Sequence, residues 1–242
     1  MSKRQEIRQR RQRERMRNRI LVILLVASGA LLIAFAFIRP MVLRTQVTAS
    51  ATLSPVIVIT PQAINTQIDG VHLGDPNAPV KVDVFEDFRC SACALYTQNY
   101  EPQIIQTYVE TGKVYYTFHT FLVIDSHDGS DASLRSANAA MCAGEQGRFW
   151  EYHQTLYANQ VSESAALFSD ERLVAMAQNI NLDMTRFNQC YQDKKYASEI
   201  QKDISEGTAL NLTGTPSILV DGTLFPDFSQ VGSAIDTALA GK

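Results

Sequence analysis

Cys90 and Cys93 enclose Ser91 and Ala92 at the point where one periodicity stops and another starts. Before them, Pro79-Val80-Lys81-Val82-Asp83-Val84-Phe85 alternates like a half-buried strand. After them, the stretch from Ala94 to Glu110 reads as a helix that buries Cys93, Tyr96, Tyr100, Ile104 and Tyr108 at intervals of three and four. Pro102 is expected to kink that helix and Gly112 to end it. The cysteines therefore sit where a strand hands over to a helix N-terminus. Such an end has unpaired N–H groups and a partial positive charge, which favour an anion. A thiolate is such an anion, so Cys90 is expected to be acidic, exposed and reactive. Cys93 lies one turn further in, close enough to close a disulfide with it. This spacing in this setting reads as a redox pair.

The charge distribution says where the pair works. Residues 1–19 hold nine Lys or Arg against two Glu, whereas the whole chain of 242 residues carries −3. The body is thus acidic and the tail basic. Ile20 to Ile38 follows without a charged side chain. As a helix it would be about 28 Å long, close to one hydrocarbon core. Residues 1–19 then read as a cytoplasmic tail, 20–38 as a transmembrane signal anchor and the rest as exported. A nucleic-acid-binding arm is the rival reading of the Arg run, but the adjacent apolar span gives those charges another role. Ala34-Phe35-Ala36 and Ala49-Ser50-Ala51 fit the small-x-small pattern of signal-peptide cleavage, so a cleaved leader stays open beside the favoured uncleaved anchor. Either way the body faces an oxidising compartment, where disulfides persist.

Residues 39–66 read as a linker, rich in Thr, Ser, Ala and Gln, with Pro40, Pro55 and Pro61. Val56 to Ile59 could form a short strand. The folded body starts near residue 67, with a short edge strand at Val71–Leu73. After the Cys90 helix, Lys113 to Phe118 reads as a second core strand. From about 131 to 210 there is no strand pattern, and four or five helices are expected. Pro216 to Val220 returns to strand, Asp221-Gly222 is a hairpin turn, Thr223 to Phe225 an edge strand, and Ser229 to Leu239 a closing helix. The order β-α-β, helical block, β-β-α implies an α/β thioredoxin-like fold with a helical insertion.

Four pieces of sequence carry a resemblance: Gly74 to Val80, Asp87 to Cys93, Gln146-Gly147-Arg148-Phe149-Trp150-Glu151-Tyr152-His153, and Gly214-Thr215-Pro216-Ser217. Together, over roughly residues 70–240, the chain resembles the DsbA-like family of exported thiol–disulfide oxidoreductases, and most of all its membrane-anchored bacterial branch. The resemblance implies that Cys90 and Cys93 are catalytic. It implies that the Thr215–Pro216 bond is cis, beside Cys90, with Thr215 and Pro216 meeting an extended substrate strand. It also implies reduced exported proteins as substrates and, as recycling partner, a membrane quinone-linked thiol oxidase of the DsbB or VKOR kind. No cofactor and no nucleic acid is implied. Two departures stand out. Ser91-Ala92 replaces a Pro-containing pair, so no histidine in the motif steadies the Cys90 thiolate. The acid that many relatives bury six residues before the first cysteine is replaced by Val84, with Asp83, Glu86 and Asp87 nearby.

Cys142 and Cys190 fall in expected helices of the insertion and are paired as a structural disulfide; two buried free thiols are the alternative. His72, His119, His127 and His153 stand at no zinc-like spacing from a cysteine, so no metal is expected. His153, Trp150, Tyr152 and Tyr157 read as core packing, and Glu199, Asp203 and Glu206 as a solvated helix face. His119, Phe121 and Leu122 could line the active surface or simply pack at the strand end. Competing functions are the same exchange run as a reductase or isomerase, and a copper(I) metallochaperone using both cysteines.

Overall fold

The computed structural model describes Met16 and residues 55–242, so the expected basic tail, the 20–38 span and most of the linker lie outside the described residues. Among the described residues no helix is long and apolar enough to cross a membrane.

The body is built on one sheet. Its strands are β1 (Ile68–Asp69), β2 (His72–Leu73), β3 (Val80–Glu86), β4 (Val114–Thr120), β5 (Ser217–Val220) and β6 (Thr223–Phe225), in spatial order β1-β2-β4-β3-β5-β6. β3 runs parallel to β4, from Val80 opposite Val114 to Glu86 opposite Thr120, and antiparallel to β5. Its alternation is what the sequence dictates: Val80, Val82 and Val84 are fully buried on one face, and Glu86 continues that same face. Asp221 and Gly222 both have positive φ, 46° and 78°, the pair of left-handed residues that a tight hairpin requires between β5 and β6.

The helix after the cysteines is shorter than its pattern suggests. It is α1, Ser91–Asn99, and the chain leaves helical geometry at Tyr100. A second helix, α2 (Glu101–Ile104), restarts with Pro102 in its first turn, and Ile105–Val109 winds one wider π turn. At that position proline lacks only an N–H that would have had no partner. Pro102 therefore opens a new helix rather than kinking an old one.

α3 (Asp125–Asp128) follows β4. Between residues 131 and 210 lie five α-helices, α4 (Ala132–Gly144), α5 (Phe149–Ala158), α6 (Asp170–Asn179), α7 (Met184–Gln192) and α8 (Ala197–Ala209), and one short 3-10 helix, Ala165–Phe168. Small side chains let α4 sit at the centre of this block, where Ala132, Ala137, Ala139, Ala140 and Ala143 are all buried. Cys142 and Cys190 form a disulfide that ties α4 to α7, with Cα atoms 5.8 Å apart. α9 (Val231–Ala240) closes the chain against β5 and β3.

Residues 55–66 carry no strand. The Ile57 backbone instead pairs with the Asn159 amide, whose Oδ1 accepts from Ile57 N at 2.7 Å and whose Nδ2 donates to Ile57 O at 3.0 Å. Gln62 and Gln154 make a similar reciprocal pair, and Asn65 N donates to Glu110 Oε1. The expected Val56–Ile59 strand is absent, and the Ile57 backbone pairs with the Asn159 amide instead of with a neighbouring strand.

Candidate active site

β3 delivers the chain to Glu86, and the next three residues turn it into α1. Asp87 makes that turn: its Oδ1 accepts from Arg89 N at 2.9 Å and its carbonyl from Cys90 N at 2.9 Å. Its Oδ2 accepts from Val123 N and Ile124 N, both at 3.0 Å, which pins the loop after β4 to the cysteine turn. Arg89 is only 1% exposed. Its guanidinium donates to Asp125 at 2.7 Å, Asp128 at 2.5 Å, Ser130 Oγ at 2.6 Å and the Glu163 carbonyl at 2.5 Å. A buried cation stands directly before Cys90, but two carboxylates neutralise it on its own side.

Cys90 is the N-cap of α1 and Cys93 lies in its first turn; both are free thiols. The expectation of an exposed Cys90 needs correcting, because it is 6% exposed, against 0% for Cys93. The cover comes from across the sheet. The Thr215–Pro216 peptide is cis, and the Thr215 carbonyl oxygen lies 3.3 Å from Cys90 Sγ, accepting from it when Cys90 is protonated. Ser217 Oγ donates to the Gly214 carbonyl at 2.7 Å, holding that turn where β5 begins. Thus Cys90, Cys93, Thr215 and Pro216, separated by some 120 residues, form one site.

The two thiols differ sharply in acidity. A hydrogen bond from Cys93, helped by the Thr215 hydroxyl and by the backbone N–H groups of Cys93 and Ala92, outweighs burial and lowers Cys90 to about 6. Burial, the hydrogen bond to Cys90 and the Glu86 carboxyl push Cys93 well above its ordinary value. At neutral pH Cys90 is therefore a thiolate and Cys93 a thiol, with no histidine in the motif needed.

Glu86 is the buried acid of this site. It is fully buried, and burial lifts it to about 8 despite the Tyr157 hydroxyl, which donates to its Oε2 at 2.5 Å. Val84, where the resemblance would put an acid, is plain core. The carboxyl has moved two residues along β3, which keeps it on the same face of the strand and closer to the cysteines. A charged residue continuing the apolar face of an alternating strand is a signal the sequence did contain.

Behind Glu86 lies a polar cluster that the packing interpretation of His153 missed. His153 is fully buried among Phe88, Phe118, Phe149, Trp150 and Tyr157. Its Nε2 is 3.7 Å from Glu86 Oε2, and its Nδ1 is 4.0 Å from Glu101 Oε2. Burial lifts Glu101 to about 7, and its Oε1 accepts from Tyr116 Oη at 2.8 Å. Elsewhere, Asp203 is not merely solvated: it accepts from Thr120 N at 2.9 Å and, with Asp83, outweighs burial to raise His119 to about 9. His119 stacks on Phe85 and is occupied by those partners at the strand end.

A fold of this kind, with one acidic and one buried thiol on a helix end beside a cis proline, can exchange disulfides. The comparisons agree with that chemistry. Residues 66–237 match the thioredoxin family model. The chain is 30% identical over 171 residues to the probable disulfide bond formation protein D of Bacillus anthracis, covering 69% of this chain and 77% of the relative. The oxidised crystal structure of BdbD from Bacillus subtilis superposes with a TM-score of 0.64 at 20% identity, over 78% of this chain and 100% of that one. Chlamydia trachomatis DsbA superposes with a TM-score of 0.63 at 20% identity, over 76% of this chain and 98% of that one. The chain belongs to the thioredoxin-fold family of DsbA-like thiol:disulfide oxidoreductases.

Proposed function

We propose that this protein is an extracytoplasmic oxidant that introduces disulfides into exported proteins through Cys90 and Cys93. The observation that carries this reading is Cys90 capping the N-terminus of α1 beside the cis Thr215–Pro216 turn, a setting that lowers its thiol to about 6. Whatever stabilises the thiolate stabilises the reduced enzyme, and so makes its disulfide a stronger electron acceptor. A substrate thiolate attacks Cys90 Sγ; the Cys90–Cys93 bond breaks and its electron pair leaves on Cys93, which is protonated. The substrate's second thiolate then displaces Cys90, carrying off the new disulfide and leaving the enzyme as a dithiol. Thr215 and Pro216 flank Cys90 and present backbone to an extended substrate strand.

Residues 20–38 anchor the chain in the cell membrane, with residues 1–19 in the cytoplasm and the catalytic body outside. A membrane quinone-linked thiol oxidase, DsbB-like or VKOR-like, returns the dithiol to the disulfide. The test is the potential of the full-length chain in detergent, equilibrated against glutathione, together with oxidative refolding of a reduced secreted substrate. An oxidase sits well above the potential of thioredoxin and refolds the substrate; a thioredoxin-like potential with insulin reduction only would make the protein a reductase. Protease shaving of intact cells checks the orientation, since only an outward body is digested.

A further inference from the structure

The exchange leaves a proton problem. Cys93 is fully buried, and so is Glu86 beside it. A docked protein substrate covers the Cys90 face. The proton that Cys93 needs must therefore reach Glu86 from elsewhere. Glu86 Oε1 and both ring nitrogens of His153 have no hydrogen-bond partner, a costly state for buried polar atoms. Glu101, nearest the other ring nitrogen, lines a cleft of about 260 Å³ between α1, α2, α5 and the 59–64 segment. That cleft is edged by polar side chains, among them Gln62, Gln98, Gln106 and Gln154, and Cys90 and Thr215 are not among its lining residues.

We propose that Glu86, His153 and Glu101 form a proton relay that serves Cys93 from this cleft, and that His153 moves its ring hydrogen from one nitrogen to the other with each half of the catalytic cycle. The inference rests on exchange at Cys90 and Cys93. Three buried ligand-type side chains could also suggest a metal site. Glu86 lies nearest Nε2 and Glu101 nearest Nδ1, so each ring nitrogen has its own carboxyl; one oxygen of each acid and one ring nitrogen also fall within 4.8 Å of one another, and the test below separates a bound ion from a relay. Each gap exceeds a hydrogen bond by about 1 Å or less, within reach of a small ring movement.

The steps balance. When the Cys90–Cys93 bond breaks, the Cys93 thiolate takes the Glu86 proton. Glu86 takes the hydrogen from His153 Nε2, Nδ1 takes one from Glu101, and Glu101 refills from the cleft. On reoxidation Cys90, as a thiolate, has attacked the partner's disulfide. Glu86 passes its proton to Nε2 and takes the Cys93 hydrogen, while Nδ1 releases its own to Glu101 and out to the cleft. The Cys93 electron pair then forms the S–S bond, and the partner's sulfur leaves with its pair. The ring returns to its first tautomer without flipping. Glu86 near 8 and Glu101 near 7 both carry protons at neutral pH, and because burial disfavours a charged His153 the ring gains at one nitrogen as it loses at the other and stays neutral. The other titratable groups facing this chain are Tyr157 on Glu86, Tyr116 on Glu101, Tyr96 on Tyr116, and Cys90.

The test uses full-length chain in detergent. Glu101→Gln keeps the oxygen that accepts from Tyr116, and His153→Phe suits the aromatic cage. Reduction of the Cys90–Cys93 disulfide by a cysteine peptide is expected to slow about tenfold in both and to lose its dependence on pH near 7. The Cys90 thiolate titration, read by ultraviolet absorbance, stays in place, which separates a failed relay from a failed exchange site. Ring nitrogen NMR of the unsubstituted protein is expected to show Nε2–H when oxidised and Nδ1–H when reduced, and decides the matter if a variant does not fold. Wild-type rates in both variants, one tautomer in both redox states, or one divalent ion per chain lost in His153→Phe would each overturn the proposal.

Discussion

Cys90 and Cys93 share one helix end as free thiols, whereas Cys142 and Cys190 lie 48 residues apart on two helices and are bonded. Both pairs are buried, so burial alone does not explain which one reacts. The difference lies in the direction of the helices. Cys90 caps the N-terminus of α1, where N–H groups favour a thiolate. Cys142 and Cys190 each fall in the last turns of α4 and α7, near carbonyl ends that disfavour one. A second difference is asymmetry. Cys90 has donors from Thr215 and the α1 backbone, while Cys93 has Glu86. A disulfide becomes chemically useful here because its two sulfurs are unlike.

The largest test of this contrast is to remove one sulfur. Cys90→Ser is expected to abolish oxidative refolding, whereas Cys93→Ser accumulates mixed disulfides visible on non-reducing gels; absence of such adducts would show the roles to be misassigned. Replacing Cys142 and Cys190 together by Ala is expected to lower stability by up to about 4 kcal/mol in the loop-closure view, measured by denaturant melting. The same variant should leave the Cys90 titration near 6 unmoved, and a shift there would break the separation of the two pairs.

Glu86→Gln is expected to slow disulfide reduction about tenfold or more by removing the acid beside Cys93. Its effect on stability has a definite sign. Glu86 holds its proton more tightly folded than unfolded, so it destabilises the fold as pH rises from about 4.5 through about 8. The variant should therefore melt higher than the parent at pH 8 and equally at pH 4, compared by calorimetry. The smallest effect is expected at Thr215→Val. Losing the hydroxyl should raise the Cys90 titration slightly and reduce the thiolate share at neutral pH, read by iodoacetamide reactivity.

Much of the fold was legible because β3, the cysteine turn and the Asp221-Gly222 hairpin are local patterns. Tyr100 and Pro102 were misjudged because a proline within a helical run can either kink it or begin a new helix, and the choice depends on what packs at the break. Around the active centre, Cys90 and Cys93 are legible directly, but Glu86 is not, because a carboxyl at a strand end is ordinarily solvated and only the fold shows it buried. His153 reads as packing in the sequence because its carboxyl neighbours come from β3 and α2, far away along the chain. Arg89 gave no sign of burial, since Asp125, Asp128 and the Glu163 carbonyl come together only in three dimensions.

Arg89 carries an evolutionary consequence. One guanidinium joins the cysteine turn to the 125–130 segment and to the stretch that ends α5. Deleting either carboxylate would leave the interior guanidinium only partly paired, and lysine lacks the planar fork to reach every partner. Positions 89, 125 and 128 should therefore drift as a linked trio across descendants of this chain.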